Sequence, residues 1–181
     1  MFMARVKRIN PLLAVALTLA VLTAGFAAWS GWTWYAAADD ESLAFAKTRD
    51  EVLAAGEQGV QNLNTLDHRE LRRGMETWEK STTGDLRDQL REGRPEFEKQ
   101  VRNARTVTKA KVLSGAVTEL DERAGRARVM VALRITVDAP KEKAVTKESR
   151  MLGALTRTDD GWKLSDLGQA PVGDTGPSAG E

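Results

Sequence analysis

The chain contains no cysteine, which excludes disulfides, thiol nucleophiles and cysteine metal centres together. A domain built from it outside the cytoplasm must be stable by packing alone. Histidine and tyrosine occur once each, at His68 and Tyr35. One histidine among scattered carboxylates gives no cluster with metal-ligand spacing, so no metal is expected. Nor is there an excess of one charge. Three of the 27 basic residues precede Ala38, leaving 24 against 26 acidic ones in the rest of the chain. That mixture lacks the clustered basic face that nucleic acid requires. Long apolar runs are missing too, with one exception.

The exception is Pro11 to Trp29, an uncharged run of Leu, Ala and Val. Its 19 residues span roughly 28 Å as a helix at ~1.5 Å per residue, about the thickness of a bilayer's hydrocarbon core. Arg5, Lys7 and Arg8 stand before it, whereas Asp39, Asp40 and Glu41 are the first charges beyond it. Basic residues hold their end of a span in the cytoplasm, so the N-terminus is expected inside and the remainder outside. Trp29, Trp32, Trp34 and Tyr35 fall where the run emerges and read as an interfacial aromatic belt. A cleaved signal peptide ending at Ala36-Ala37-Ala38 is the competing reading. The run is longer than the ~7–15 residues of a signal core, and four aromatics separate it from that cleavage point. The sequence therefore divides into a cytoplasmic N-terminus (1–9), a transmembrane helix with its belt (10–35), an extracytoplasmic domain (36–170) and a Gly- and Pro-rich disordered tail (171–181). The spanning helix is expected to run on into the first helix of the domain, because no Gly or Pro lies between Gly31 and Gly56.

Within the domain, Phe45, Val52, Gly59 and Leu66 recur at seven-residue spacing, with Gly56, Val60 and Leu63 beside them. That predicts a helix over Ser42 to Leu66, its two glycines marking a close approach. Leu71, Met75 and Trp78 predict a second helix over His68 to Lys80. Ser81 to Asp85 caps a third, with Leu86 and Leu90 inward, broken or kinked at Arg94-Pro95. A last helical piece carries Phe97 and Val101. The period then changes. Ala127, Val129, Val131, Leu133, Ile135 and Val137 alternate with Arg126, Arg128, Arg134, Thr136 and Asp138, which predicts a long strand with one dry face. Val107 to Leu120 is its expected partner, with a bulge at Val112-Leu113. Thr146 to Thr158 and a strand carrying Trp162 and Leu164 follow, joined by the Asp-Gly turn at Asp160-Gly161. Helices followed by an antiparallel meander make an α+β domain, with three to four helices on a curved sheet of about four strands.

The order of these parts, with Ser30 to Leu53 (SGWTWYAAADDESLAFAKTRDEVL), Leu63 to Arg69 (LNTLDHR), Ala116 to Val129 (AVTELDERAGRARV) and Leu155 to Gly173 (LTRTDDGWKLSDLGQAPVG), resembles the Mce-associated membrane proteins of high-GC Gram-positive bacteria. The resemblance runs from about Arg5 to Gly173. It implies an NTF2-like cone outside the membrane and a role beside Mce-type lipid transporters, with protein partners and a lipid as candidate ligand. It brings no catalytic, cofactor-binding or metal residues. VirB8-like scaffolds of conjugation and secretion share the layout and stand as the second choice. A cone that binds or processes a small apolar ligand is the third.

Residue by residue, chemistry finds little to stand on. His68 follows Asp67, but neighbours on a helix do not face each other, so His68 is expected to be a surface or capping group. NTF2-like enzymes commonly use a tyrosine hydroxyl at an oxyanion, and Tyr35 lies at the membrane end of the chain. Trp78 is the candidate lining residue of the cone, with a core anchor against the sheet as the plainer role. Arg126, Arg128 and Arg134 read first as solvated strand charges. The expectation is a protein with no catalytic centre, no cofactor and no metal.

Overall fold

A computed structural model describes residues 11–38, 41–140 and 142–171. Arg5, Lys7 and Arg8 and the tail after Pro171 lie outside the described residues. So do residues 39–40, on which the continuity of the first two helices was to be read. The chain divides into two units between Ala46 and Lys47.

The first unit contains α1 (Pro11–Ala38). Its described side chains, residues 15–35, are exposed on every face, and Val15–Tyr35 is long and apolar enough to cross a membrane. A helix that is apolar all round has no preferred side for a protein core. The Thr23 hydroxyl donates back to the carbonyls of Leu19 and Ala20, both at 3.0 Å, and Thr33 donates to that of Ser30. These hydroxyls therefore find their partners inside the helix, as a hydrocarbon surrounding requires.

The second unit takes in most of α2 (Glu41–Leu63), then β1 (Leu66–Asp67), α3 (Leu71–Ser81) and α4 (Gly84–Ala104). The strands β2 (Val107–Asp121), β3 (Arg126–Asp138), β4 (Val145–Thr158) and β5 (Gly161–Gln169) complete it. The sheet is antiparallel throughout, in the order β1-β2-β3-β4-β5. The α+β expectation holds, with the two-residue β1 as a fifth strand.

On β3 the alternation read from the sequence is the packing itself: Ala127, Val129, Val131, Leu133 and Ile135 are buried and face Val52 and Val60 of α2. Each fully buried Val or Leu contributes roughly 1.5–3 kcal/mol. The glycines of α2 set the distance between the layers. A Cβ on Gly56 would stand 2.8 Å from Val129 Cγ2, and one on Gly59 2.8 Å from Leu164 Cδ1. The helix is shorter than expected, because Leu66 leaves it to pair with Thr108 of β2. Phe45 is 47% exposed, so the seven-residue stripe stops at Val52. The predicted bulge lies between Val112 and Ser114, and a second, between Val117 and Glu119, had no sequence signal.

Pro95 does not break its helix. α4 is continuous from Gly84 to Ala104, with Pro95 inside. Pro95 and Arg91 are exposed, so water can satisfy the carbonyl that loses its donor four residues back. Both halves are also anchored: Leu86 packs on the sheet core, and Phe97 and Val101 join a second cluster with Leu66, Leu71 and Met75. Arg94 bridges Glu98 at 2.7 Å and Glu79 at 3.1 Å across the proline. α4 ends on Arg105 in the left-handed region, φ 50°, its N–H donating to Val101 O.

Gly56→Ala is expected to destabilise the domain in thermal or urea unfolding. Forcing a methyl against the stiff, buried Val129 costs about 1–3 kcal/mol, more than the ~1 kcal/mol of helix propensity gained. Adding Val129→Ala should remove the overpacking part of the penalty. Arg105→Gly should raise stability by about 0.5–1 kcal/mol, since glycine occupies that backbone region without Cβ strain.

Candidate functional site

The sites weighed from the sequence do not converge. His68 stands in a turn after β1 rather than on a helix, which corrects the reason given for keeping it apart from Asp67. Its Nδ1 lies 3.5 Å from Asp67 Oδ1 and has no hydrogen-bond partner in the structure. Asp67 is committed elsewhere: both its oxygens accept from the Arg69 guanidinium, at 2.7 to 3.2 Å, and Oδ1 also accepts the Arg69 backbone N–H at 2.9 Å. The Arg69 side-chain bond, then its backbone N–H, pull the Asp67 carboxyl from 3.8 down to about 2. A carboxylate held so far below neutrality is a poor general base. Among the described residues no three of His, Asp and Glu assemble into a metal-holding group.

Trp78 packs its ring on Phe97, with centroids 5.3 Å apart, and its indole N–H donates to Thr65 O at 3.3 Å. It belongs to the cluster of α3, α4 and β1, and lines neither of the two depressions described below. Trp29, Trp32, Trp34 and Tyr35 are 71–82% exposed at the C-terminal end of α1.

The feature with room for a partner is the sheet itself. On the face turned away from α2, register brings Lys111 beside Arg134, and Arg134 beside Glu148. Arg134 bonds Glu148 at 2.8 Å, and Arg128 lies 3.4 Å from Glu119. These cross-strand pairs support the solvated-charge reading of the two arginines. Lys111, Lys147 and Arg150 have no ion pair among the described residues. Like charges side by side on neighbouring strands are destabilising, so the Lys111–Arg134 neighbourhood is a cost to the fold. A depression of about 680 Å³ runs along Lys147 to Arg150 and the end of β5. A second, of about 400 Å³, lies among Glu119, Arg126, Arg128 and Thr156. The missing cation partners have no signal in the sequence, whereas Pro171 and the Gly- and Pro-rich stretch after it mark where β5 stops.

The Asp67–Arg69 pair gives a direct test. A carboxyl with a depressed pKa contributes stability above its unfolded value and loses it as pH falls through the folded one. The contribution is therefore complete above 3.8 and fades toward about 2. An NMR titration should place Asp67 near 2, and Arg69→Ala should return it toward 3.8. An unmoved titration in the variant would mean that Arg69 is not the cause.

The family model described as uncharacterized protein Rv1363c/MT1408-like matches residues 11–171. Uncharacterized protein Rv1363c of Mycobacterium tuberculosis is 26% identical over 168 residues, 91% of this chain and 62% of the relative, so the chain spans less than two thirds of that relative's length. Among solved structures, an IcmL-like type IV secretion system protein from Legionella pneumophila superposes with a TM-score of 0.56 at 11% identity, over 68% of this chain and 93% of the other. The periplasmic domain of DotI gives 0.56 at 15%, over 67% and 94%. Agrobacterium tumefaciens VirB8 gives 0.53 at 7%, over 70% and 95%. At such identities the likeness carries the fold alone, which is NTF2/VirB8-like. The resemblance to Mce-associated membrane proteins and the VirB8-like second choice both fit these matches. With its family model covering nearly every described residue, the chain belongs to the Rv1363c/MT1408-like family.

Proposed function

We propose that this chain is a non-catalytic accessory protein of an Mce-type lipid transport complex. It is held by one membrane span, and its domain binds protein partners on the outer side of the membrane. The observation that carries the reading is the joining, in one chain of this family, of a membrane-length apolar helix to a VirB8-like domain. In this reading Arg5, Lys7 and Arg8 hold the N-terminus inside, and Trp29, Trp32, Trp34 and Tyr35 sit at the outer interface. The Mce assignment rests on the sequence resemblance. Asp67, the carboxylate beside the chain's single histidine, is tied to Arg69 and gives no support to a His68–Asp67 base pair. The likeness to IcmL-like, DotI and VirB8 proteins favours a second reading, a scaffold of a conjugation or secretion apparatus.

Cross-linking of the full chain in native membranes, followed by identification of the captured proteins, separates the two. Mce-domain and permease proteins are the expected catch. A catch of conjugation components would favour the second reading, and one of cytoplasmic proteins alone would overturn both. A reporter fused after Glu181 should be active only outside the cytoplasm.

A further inference from the structure

Parts of the sheet's outer edges are closed by side chains or by neighbouring chain. Along β2, Thr65 Oγ1 accepts the N–H of Ala110 at 3.2 Å and Gln61 Oε1 that of Val112 at 3.4 Å, while β1 pairs with Val107 and Thr108. Beyond those rungs β2 has no outer partner among the described residues, and the two bulges distort its pairing with β3. Along β5, Thr82 bridges Leu164 and the Thr83 N–H donates to Leu164 O at 2.8 Å. β4 differs. Its pairing with β5 ends at Met151 opposite Gln169, and the last rung is Ala170 N–H to Arg150 O at 2.9 Å. Pro171 follows and has no N–H to offer. From Val145 to Ser149, β4 pairs with β3 without a bulge and with nothing on its other side among the described residues. The 680 Å³ depression lies along this stretch, and Lys147 and Arg150 border it without ion pairs.

We propose that the open edge of β4, Val145 to Ser149, is a docking site for an extended acidic segment of a partner protein. The segment adds as an antiparallel strand in line with β5. Main-chain hydrogen bonds supply the attachment, as in other cases of strand addition, and charge supplies the choice of partner. Lys147 and Arg150 are three residues apart on one strand and so project to opposite faces. Ala170 holds the rung opposite Arg150, so an acidic side chain opposite Lys147 answers one and its neighbour in the added strand, on the other face, reaches Arg150 diagonally. Edge lysines also guard against indiscriminate pairing, and the same charges then select for an acidic strand and against a neutral or basic one. The proposal rests on reading the domain as a protein-binding module and does not depend on which complex it serves.

The test uses the full chain in phosphatidylcholine nanodiscs. The probe is a labelled peptide of about eight residues that alternates threonine and valine and carries two adjacent aspartates at its centre. It is compared with its lysine counterpart and with a backbone N-methylated copy. The acidic peptide alone should bind, and it should slow amide hydrogen exchange within Val145 to Ser149. The exposed double substitution Lys147→Glu with Arg150→Glu should weaken binding at least about tenfold, whereas Arg128→Glu should leave it unchanged. Equal binding of acidic and basic peptides, or protection elsewhere in the sheet, would overturn the proposal. So would equal protection of those amides by phosphatidylglycerol vesicles alone, which would assign the site to lipid headgroups. Binding that appears only after truncation following Pro171 would assign the edge to the chain's own C-terminal residues. If the peptide fails while cross-linking still captures Mce proteins, the site is wrong and the broader function stands.

Discussion

The domain depends on how closely α2 can approach β3. Gly56 and Gly59 leave no room for a methyl between the helix and the side chains of Val129 and Leu164, and that contact fixes the spacing of helix and sheet. Val52 and Val60, on the same helix face, join the inward row of β3 in one buried cluster with Leu155 and Leu164. Because side chains alternate strictly along a strand, sealing one row forces the next to the other side. Arg126, Arg128, Met130 and Arg134 are exposed for that reason, and β2 and β4 inherit the same division through the register. The charged outer face is therefore a consequence of the helix contact as much as a feature in its own right.

The same geometry assigns work to residues that otherwise look incidental. Gln61 and Thr65 stand four apart on or just beyond α2, and both offer an oxygen to the edge of β2. A helix cannot form a ladder with a strand, but acceptors at helical spacing can meet some of the strand's outward N–H groups. On the opposite side Thr82, fully buried, donates to Trp78 O and joins the α3–α4 corner to β5. A few polar groups of those strand edges are thus matched one at a time. The unbulged stretch of β4 from Val145 to Ser149 has no such match among the described residues.

What the sequence discloses, and what it hides, follows the range of the interaction. The alternation over Ala127 to Val137 and the Asp-Gly turn at Gly161 are local and survive into the structure unchanged. The glycines of α2 announced a close approach, though not its partner. Leu66 was misplaced because seven-residue spacing continues by chance past the end of α2, and a two-residue strand carries no periodicity. Pro95 misled because the rule against it weighs a buried helix, whereas the carbonyl it deprives faces water. Asp67 and His68 approach each other in a turn, where the rule that adjacent helical residues diverge has no force. Pro171 marks the end of β5, but nothing at Val145 to Ser149 records that β4 runs on past it.

A five-residue edge is a small interface, about 17 Å at the rise of a strand. Free in solution, a contact of that size falls in the class of weak and transient encounters. Attachment of partners to one membrane changes the arithmetic, because it replaces their bulk concentration with a local one that can reach the millimolar range when the linkage spans the distance. An adaptor anchored by a single helix can therefore work through a strand edge that would be too weak for a soluble protein. The weakness is also useful, since a partner held by a few rungs and two charges can leave as readily as it arrives. In the proposed reading the anchor and the open edge belong to one design, in which the membrane supplies occupancy and the sheet supplies selectivity.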